Sequence, residues 1–138
     1  MTTLREVMTA DPVGLPADAT LVRAAEEMRD RDIGDVLVYD GDVVRGLVTD
    51  RDVVVRAVAS GLDPTKTTLR EIVTDGVVAM NADDGVEDAV KVMRARAVRR
   101  IPVVDTGQVV GVVSIGDLAQ RQDPNSALAD ISGAPPNN

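Results

Sequence analysis

Residues 4–53 return as residues 69–118 at a constant offset of 65, without a gap. About a third of the aligned pairs are identical and most of the others are conservative. "LREVMT" (Leu4–Thr9) comes back as "LREIVT" (Leu69–Thr74), Met28-Arg29 as Met93-Arg94, and "VYD" (Val38–Asp40) as "VVD" (Val103–Asp105). "GLVTDRD" (Gly46–Asp52) falls in register with "GVVSIGD" (Gly111–Asp117). Whatever one copy folds into, the other must fold into as well. A unit of about 60 residues is marginal alone, so the two copies are expected to share a core. The reading is therefore two repeats, 1–62 and 63–122, followed by a flexible tail over 123–138, which has no periodic apolar face and ends in Pro and Asn.

The elements of each copy follow in one order. Thr3 and Glu6 form a Thr-x-x-Glu capping box that opens a short helix, and Thr68 and Glu71 repeat it. A short extended piece comes next, Pro12–Leu15 in one copy and Val77–Met80 in the other. An amphipathic helix follows, with Leu21, Ala24, Ala25 and Met28 on one face and Val86, Ala89, Val90 and Met93 as their counterparts. "VLVYD" and "IPVVD" read as buried strands. Gly41-Asp42 and Thr106-Gly107 then turn tightly into second strands, and a second helix begins after Thr49 or Ser114. Val-rich, near-continuous strands suit a sheet covered by helices. The expected class is α+β: each repeat a small sheet with two helices, the pair packed sheet to sheet with pseudo-two-fold symmetry. Ser60–Thr67 reads as the linker. Val53, Val54, Val55, Ala57 and Val58 do not fit one narrow stripe, so their helix is expected to be buried on more than one side. Its second side packs on the other repeat or forms a homodimer face, and both readings stand.

Charge and composition exclude several functions. The net charge is −8, there is no Lys-rich run, and Tyr39 is the only aromatic residue. Such a chain is poorly suited to nucleic acid or an anionic membrane, where Lys and Arg neutralise phosphate. A flat ligand would have to be held by aliphatic walls and backbone groups. With no Cys and no His, disulfides, thiol nucleophiles, imidazole bases and zinc sites built on those side chains are ruled out. The start, "MTTLREVMTA", lacks the apolar run of a signal peptide, and no apolar stretch reaches membrane-spanning length. The expected location is the cytoplasm. No clustered acids with metal spacing rise above the solvated helix faces, so a carboxylate-dependent hydrolase ranks last and no enzyme is expected.

Local chemistry marks two stretches. Thr49 with Asp52, and Ser114 with Asp117, have the spacing of a helix cap and its third-residue acid. That role needs no ligand, yet a helix start also attracts anions and a carboxylate accepts from hydroxyls. Beside the second stretch stand Arg94, Arg96, Arg99 and Arg100. The first two suit the negative end of a helix. The first copy has Gly34 and Asp35 where the second has Arg99 and Arg100, and an acid there repels phosphate. Arg51 either replaces that missing charge or bonds to a neighbouring acid. Pro102 lacks an N–H, so its strand is expected at a sheet edge or to begin there.

The duplicated unit, the Gly-x-x-Thr/Ser-x-x-Asp stretch after two strands and "RRIPVVD" before it closely resemble tandem cystathionine β-synthase (CBS) domains, the Bateman module, over about residues 4–120. "TDRDVV" and "ASGLDP" resemble a stand-alone actinobacterial subgroup that includes a hypoxia-response type. The resemblance implies a regulatory sensor that binds an adenosine nucleotide (AMP, ADP or ATP, and after them S-adenosylmethionine or NAD) in clefts between the repeats. It implies ribose contacts from Asp117 and Asp52, phosphate or ribose contacts from Ser114 and Thr49, and phosphate contacts from Arg99 and Arg100. Val13 and Val78 would line the adenine pocket through backbone groups, with Ile101 and Pro102 closing the other wall. It also implies a disc-like homodimer and no required cofactor. Of the two sites, the Ser114–Asp117 one is the better nucleotide candidate, while the Thr49–Asp52 one is degenerate or takes a less charged adenosine ligand. The alternative is a ligand-free module that dimerises or docks on a partner protein.

Overall fold

The structure is a computed structural model that describes residues 1–74 and 78–122. In chain order its elements are α1 (Leu4–Val7), β1 (Thr9–Ala10), β2 (Gly14–Pro16), α2 (Leu21–Arg31), β3 (Asp35–Asp40), β4 (Val43–Thr49) and α3 (Asp50–Asp52). The last runs into a π-helical segment, Val53–Val58. Then come α4 (Leu69–Ile72), β5 (Met80–Asn81), α5 (Val86–Arg96), β6 (Arg100–Asp105), β7 (Gln108–Ser114) and α6 (Ile115–Gln122). The fold is mixed α+β with two small sheets. The expected tail and the start of the second extended piece, Val77, lie outside the described residues. Among the described residues no helix is long and apolar enough to cross a membrane.

The compact units do not follow the sequence repeats. Residues 13–74 form one, and residues 1–12 with 78–122 form the other. Each repeat thus gives its capping-box helix to the unit built mainly from the other repeat. A four-residue helix leaves its backbone donors unpaired and cannot stand alone. Leu69 and Arg70 donate their N–H groups to the carbonyls of Ala19 and Ala17, each at 2.9 Å. Leu4 and Arg5 do the same to Asp84 and Ala82, at 2.9 and 3.0 Å. These are equivalent contacts at the offset of 65. Both leucines are fully buried, Leu69 among Leu15, Leu21 and Val38, and Leu4 among Met80, Val86 and Ile101. The capping boxes form as expected: the Glu6 carboxylate accepts from Thr3 N–H, and Glu71 from Thr68 N–H, both at 2.6 Å.

Charge fastens the same helices. Arg70 reaches Asp40 at 2.7 Å and Asp18 at 3.2 Å, and Arg5 reaches Asp105 at 2.9 Å and Asp83 at 3.3 Å. The hydrogen bonds that the Arg70 guanidinium donates to Asp40 and Asp18 push its pKa above the ordinary value and hold the Asp40 carboxyl below its own.

In the 13–74 unit the sheet order is β2-β3-β4, with β2 parallel and β4 antiparallel to β3. In the other unit the order is β1-β7-β6-β5. There β5 is parallel to β6, and the donated β1 lies antiparallel along the edge of β7. Two-residue turns close both hairpins. Thr106 and Gly107 both have positive φ, the pairing a type I′ turn requires. Val36 and Val38 face the core of their unit while Leu37, on the opposite face, is also buried, so β3 is covered on both sides.

Three expectations need correction. Ala25 is exposed: the buried stripe of α2 is Leu21, Ala24 and Met28, and Ala25 stands one position off it. Strand β6 is interior, between β7 and β5. Pro102 is tolerated because the parallel pairing with β5 involves only Val103 and Val104, so its missing N–H falls beyond that ladder. Within the chain the helix after Thr49 is buried on one side only, since Ala57 is buried but Val54, Val55 and Val58 are exposed, which removes the reading of a second side buried in the same chain and leaves the homodimer reading as it stood.

Gly111, the glycine that leads the second motif, pairs with Ala10 of β1. A Cβ there would lie 2.5 Å from Met8 Sδ and 2.8 Å from the Thr9 carbonyl oxygen, which is backbone and cannot turn away. Gly111→Ala should lift β1 from β7 and cost about 1–3 kcal/mol in urea unfolding. A second expectation concerns acid. Asp40 has a depressed folded pKa, so its pairing stabilises fully above the ordinary carboxylate value. That contribution is lost as pH falls through the folded one. Arg70→Met should therefore lower stability at neutral pH and flatten the fall in urea midpoint on the acid side.

Candidate functional site

The residues marked by the sequence gather at two corners, one in each unit, where the second hairpin strand ends and a helix starts. In the 78–122 portion, Ser114 ends β7 opposite Arg100 in β6, with Ile101 opposite Val113 and Pro102 opposite Val112. Ile115 N–H donates to the Arg99 carbonyl at 3.0 Å, which ties the start of α6 to the residue before β6. Asp117 Oδ2 accepts from Ser114 N–H at 2.9 Å, and Asp117 N–H donates to Ser114 Oγ at 3.1 Å. The cap is real, and it occupies one carboxylate oxygen of Asp117. Arg99 is exposed, with no ion-pair partner among the described residues, and Arg100 is half-buried. One corner thus holds a guanidinium, a hydroxyl, a half-buried carboxylate and the N–H groups that open an eight-residue helix. That set suits an anion beside a pair of hydroxyls.

Ile101 and Pro102 are sealed. Ile101 belongs to the core cluster and Pro102 is fully buried, so their side chains pack rather than present a wall. Val78 and Val13 are half-buried. Backbone chemistry separates these two valines. Leu37 N–H donates to the Val13 carbonyl at 2.8 Å. Pro102 stands where Leu37 does and has no N–H, so it cannot engage the Val78 carbonyl in the same way.

The corner of the 13–74 unit repeats the cap and not its surroundings. Thr49 pairs with Asp35 across the hairpin, and Asp50 N–H donates to the Gly34 carbonyl at 3.0 Å. Asp52 Oδ2 accepts from Thr49 N–H at 2.9 Å, and Asp52 N–H donates to Thr49 Oγ1 at 3.1 Å. The other oxygen, Oδ1, faces Arg56 Nε at 3.9 Å. Arg51 is exposed and makes no ion pair among the described residues, its backbone N–H donating to Asp50 Oδ1 at 2.8 Å.

Sequence reasoning passed over Arg5 and Arg70. The signal was present: the arginine, its aspartate at 18 or 83, and its aspartate at 40 or 105 all recur at the same offset. It also missed a cavity of about 590 Å³ between α5 and α6, lined by Val90, Met93, Leu118 and Ala119 with Arg94 and Arg99.

Comparison with known proteins adds the family. A model of the CBS domain matches residues 4–58 and again 69–123. Hypoxic response protein 1 of Mycobacterium tuberculosis is 36% identical over 132 residues, covering 95% of this chain and 92% of that one. CBS domain-containing protein YhcV of Bacillus subtilis is 34% identical over 136 residues, covering 96% of each. The crystal structure of hypoxic response protein I with two coordinated zinc ions has a TM-score of 0.75 at 35% identity, over 88% of this chain and 99% of that chain. This chain has no His and no Cys, and no three acids gather to hold a metal among the described residues.

The cap geometry carries its own expectation. Asp117→Ala should destabilise the ligand-free protein by about 1 kcal/mol in thermal or urea unfolding, because Ser114 N–H loses its acceptor. Asp117→Asn keeps an acceptor oxygen and should change it little.

Proposed function

The chain belongs to the CBS-domain family as a tandem pair, and on that premise we propose that it is a regulatory module that binds an adenosine nucleotide (AMP, ADP or ATP) at the Ser114–Asp117 corner and works as a homodimer. The reading is carried by the joint position of Arg99, Arg100, Ser114 and Asp117 at one strand–helix junction. In it, Arg99 and Arg100 take phosphate, Ser114 faces phosphate or ribose, and the second oxygen of Asp117 accepts from ribose hydroxyls. The Val78 carbonyl, which Pro102 cannot engage, is left to an exocyclic amine. The Thr49–Asp52 corner is the weaker site. Asp35 brings an acid beside it, Arg56 faces its carboxylate, and the Val13 carbonyl is already taken. Among the described residues Arg51 is the exposed cation beside that corner that makes no ion pair, and it favours a less charged adenosine compound.

Signalling in this reading needs no chemistry. A nucleotide shifts a conformational or assembly equilibrium by no more than its difference in affinity for the two states. The alternative is a ligand-free module that docks on a partner protein, and the exposed valines of the π-helical segment favour it.

Thermal melting with AMP, ADP, ATP and S-adenosylmethionine separates the two. A ligand present at 100 times its dissociation constant should add about 2.7 kcal/mol. Asp117→Asn should keep the ligand-free melting temperature and lose the shift, while Asp52→Asn should keep most of it. No shift with any of the four at millimolar levels overturns the nucleotide reading.

A further inference from the structure

The cavity of about 590 Å³ between α5 and α6 lies wholly within the 78–122 portion, and Arg100, Ser114 and Asp117 are not on its lining. Its size falls among small-molecule sites, which run from about 300 to 1,000 Å³ and are mostly apolar with a few placed polar groups. The lining is aliphatic. Met93 and Leu118 are buried, and Val90, Val98 and Ala119 are half-buried beside them. The charged side chains on it are Arg94 and Arg99, both exposed and without an ion-pair partner among the described residues. Most other arginines of the described residues are held by acids, as Arg5, Arg23, Arg45 and Arg70 are.

The first repeat does not share this character. At the offset of 65, Ala97, Arg99 and Ile115 of the lining stand where it has Asp32, Gly34 and Asp50. Two carboxylates are exchanged for aliphatic groups, and a guanidinium is added. Arg94 corresponds to Arg29, which is tied to Asp30 at 2.8 Å, and the second repeat has Ala95 in place of that acid. The first repeat forms helices at both places with its acids present, so folding does not require the exchange. It makes one hollow both more apolar and more cationic, which suits a guest with an aliphatic body and a negative end. A guanidinium meets a carboxylate through two parallel N–H bonds. The net charge of −8 disfavours an anionic bilayer as the source of that guest, so it comes free in solution.

We propose that the α5–α6 hollow binds a free aliphatic carboxylate of medium chain length, its chain against Val90, Met93, Leu118 and Ala119 and its carboxylate against Arg94 and Arg99. The inference goes beyond the nucleotide reading and does not rest on it. Arg99 alone is common to both sites, and nothing from the 13–74 unit is needed.

The test is calorimetric titration of the full chain with octanoate below its micelle concentration. Acetate has the head without the chain, octanol has the chain without the charge, and phosphatidylglycerol vesicles offer the same chemistry on a lipid surface. Octanoate should bind once per chain, and acetate and octanol about tenfold more weakly or worse. Arg94→Gln should weaken octanoate about fivefold. Ala119→Trp, which puts an indole into the hollow, should abolish binding while the circular dichroism spectrum is kept. Ile115→Glu, at a position 52% exposed, takes its place if that variant melts abnormally. No octanoate binding at millimolar levels overturns the proposal, as does binding to the vesicles alone. Octanol held as tightly as octanoate, or Arg94→Gln without effect, overturns the carboxylate assignment. Undiminished binding by a folded hollow variant overturns the location.

Discussion

Everything else in the structure depends on the exchange of the two capping-box helices. Neither repeat completes its core with its own first segment. Leu69 closes the core around Leu15 and Leu21, and Leu4 closes the one around Met80 and Val86. Each exchanged helix is held by two backbone hydrogen bonds, a buried leucine and an arginine shared by two aspartates. The ion pairs are exposed and each is worth little alone. Their value lies in direction: an arginine between two fixed carboxylates sets where a four-residue helix can sit. Separating the chain at the linker would leave two pieces that each lack part of a core.

The exchange also accounts for one of the paired glycines. Gly111 admits the donated strand β1, whose backbone comes too close for any side chain. The glycine that opens the second motif is therefore there for packing, whereas the Ser and Asp at its end build the helix start. Packing and capping roles divide along a single seven-residue stretch. At the two corners the cap is constant and its surroundings vary. The device that starts the helix is the same in both copies, and the residues beside it differ, Arg99 and Arg100 in one and Gly34 and Asp35 in the other.

Much of this was legible in the residues. The repeat, the capping boxes, both hairpin turns and the helix starts after Thr49 and Ser114 all follow from local patterns whose physics acts over a few residues, and the family was suggested by resemblance. The misreadings involve neighbours distant in sequence. Pro102 pointed to an edge strand because its missing N–H was visible and the early end of the β5 pairing was not. The five apolar residues of 53–58 implied burial on more than one side within the chain, since hydrophobicity marks a face and says nothing of whether anything covers it. Arg5 and Arg70 drew no notice because each meets its acids across loops far along the chain.

By itself the sequence determined that one unit is built twice, from which elements, in what order and with which caps, because turn chemistry, capping and periodicity are short-range. Only the tertiary structure decided which copy each first helix completes, which of the valines stay exposed, and which backbone carbonyl a proline cannot engage. Those outcomes depend on contacts between residues far apart in the chain, and a repeat makes both partners look equally suitable until the fold selects one.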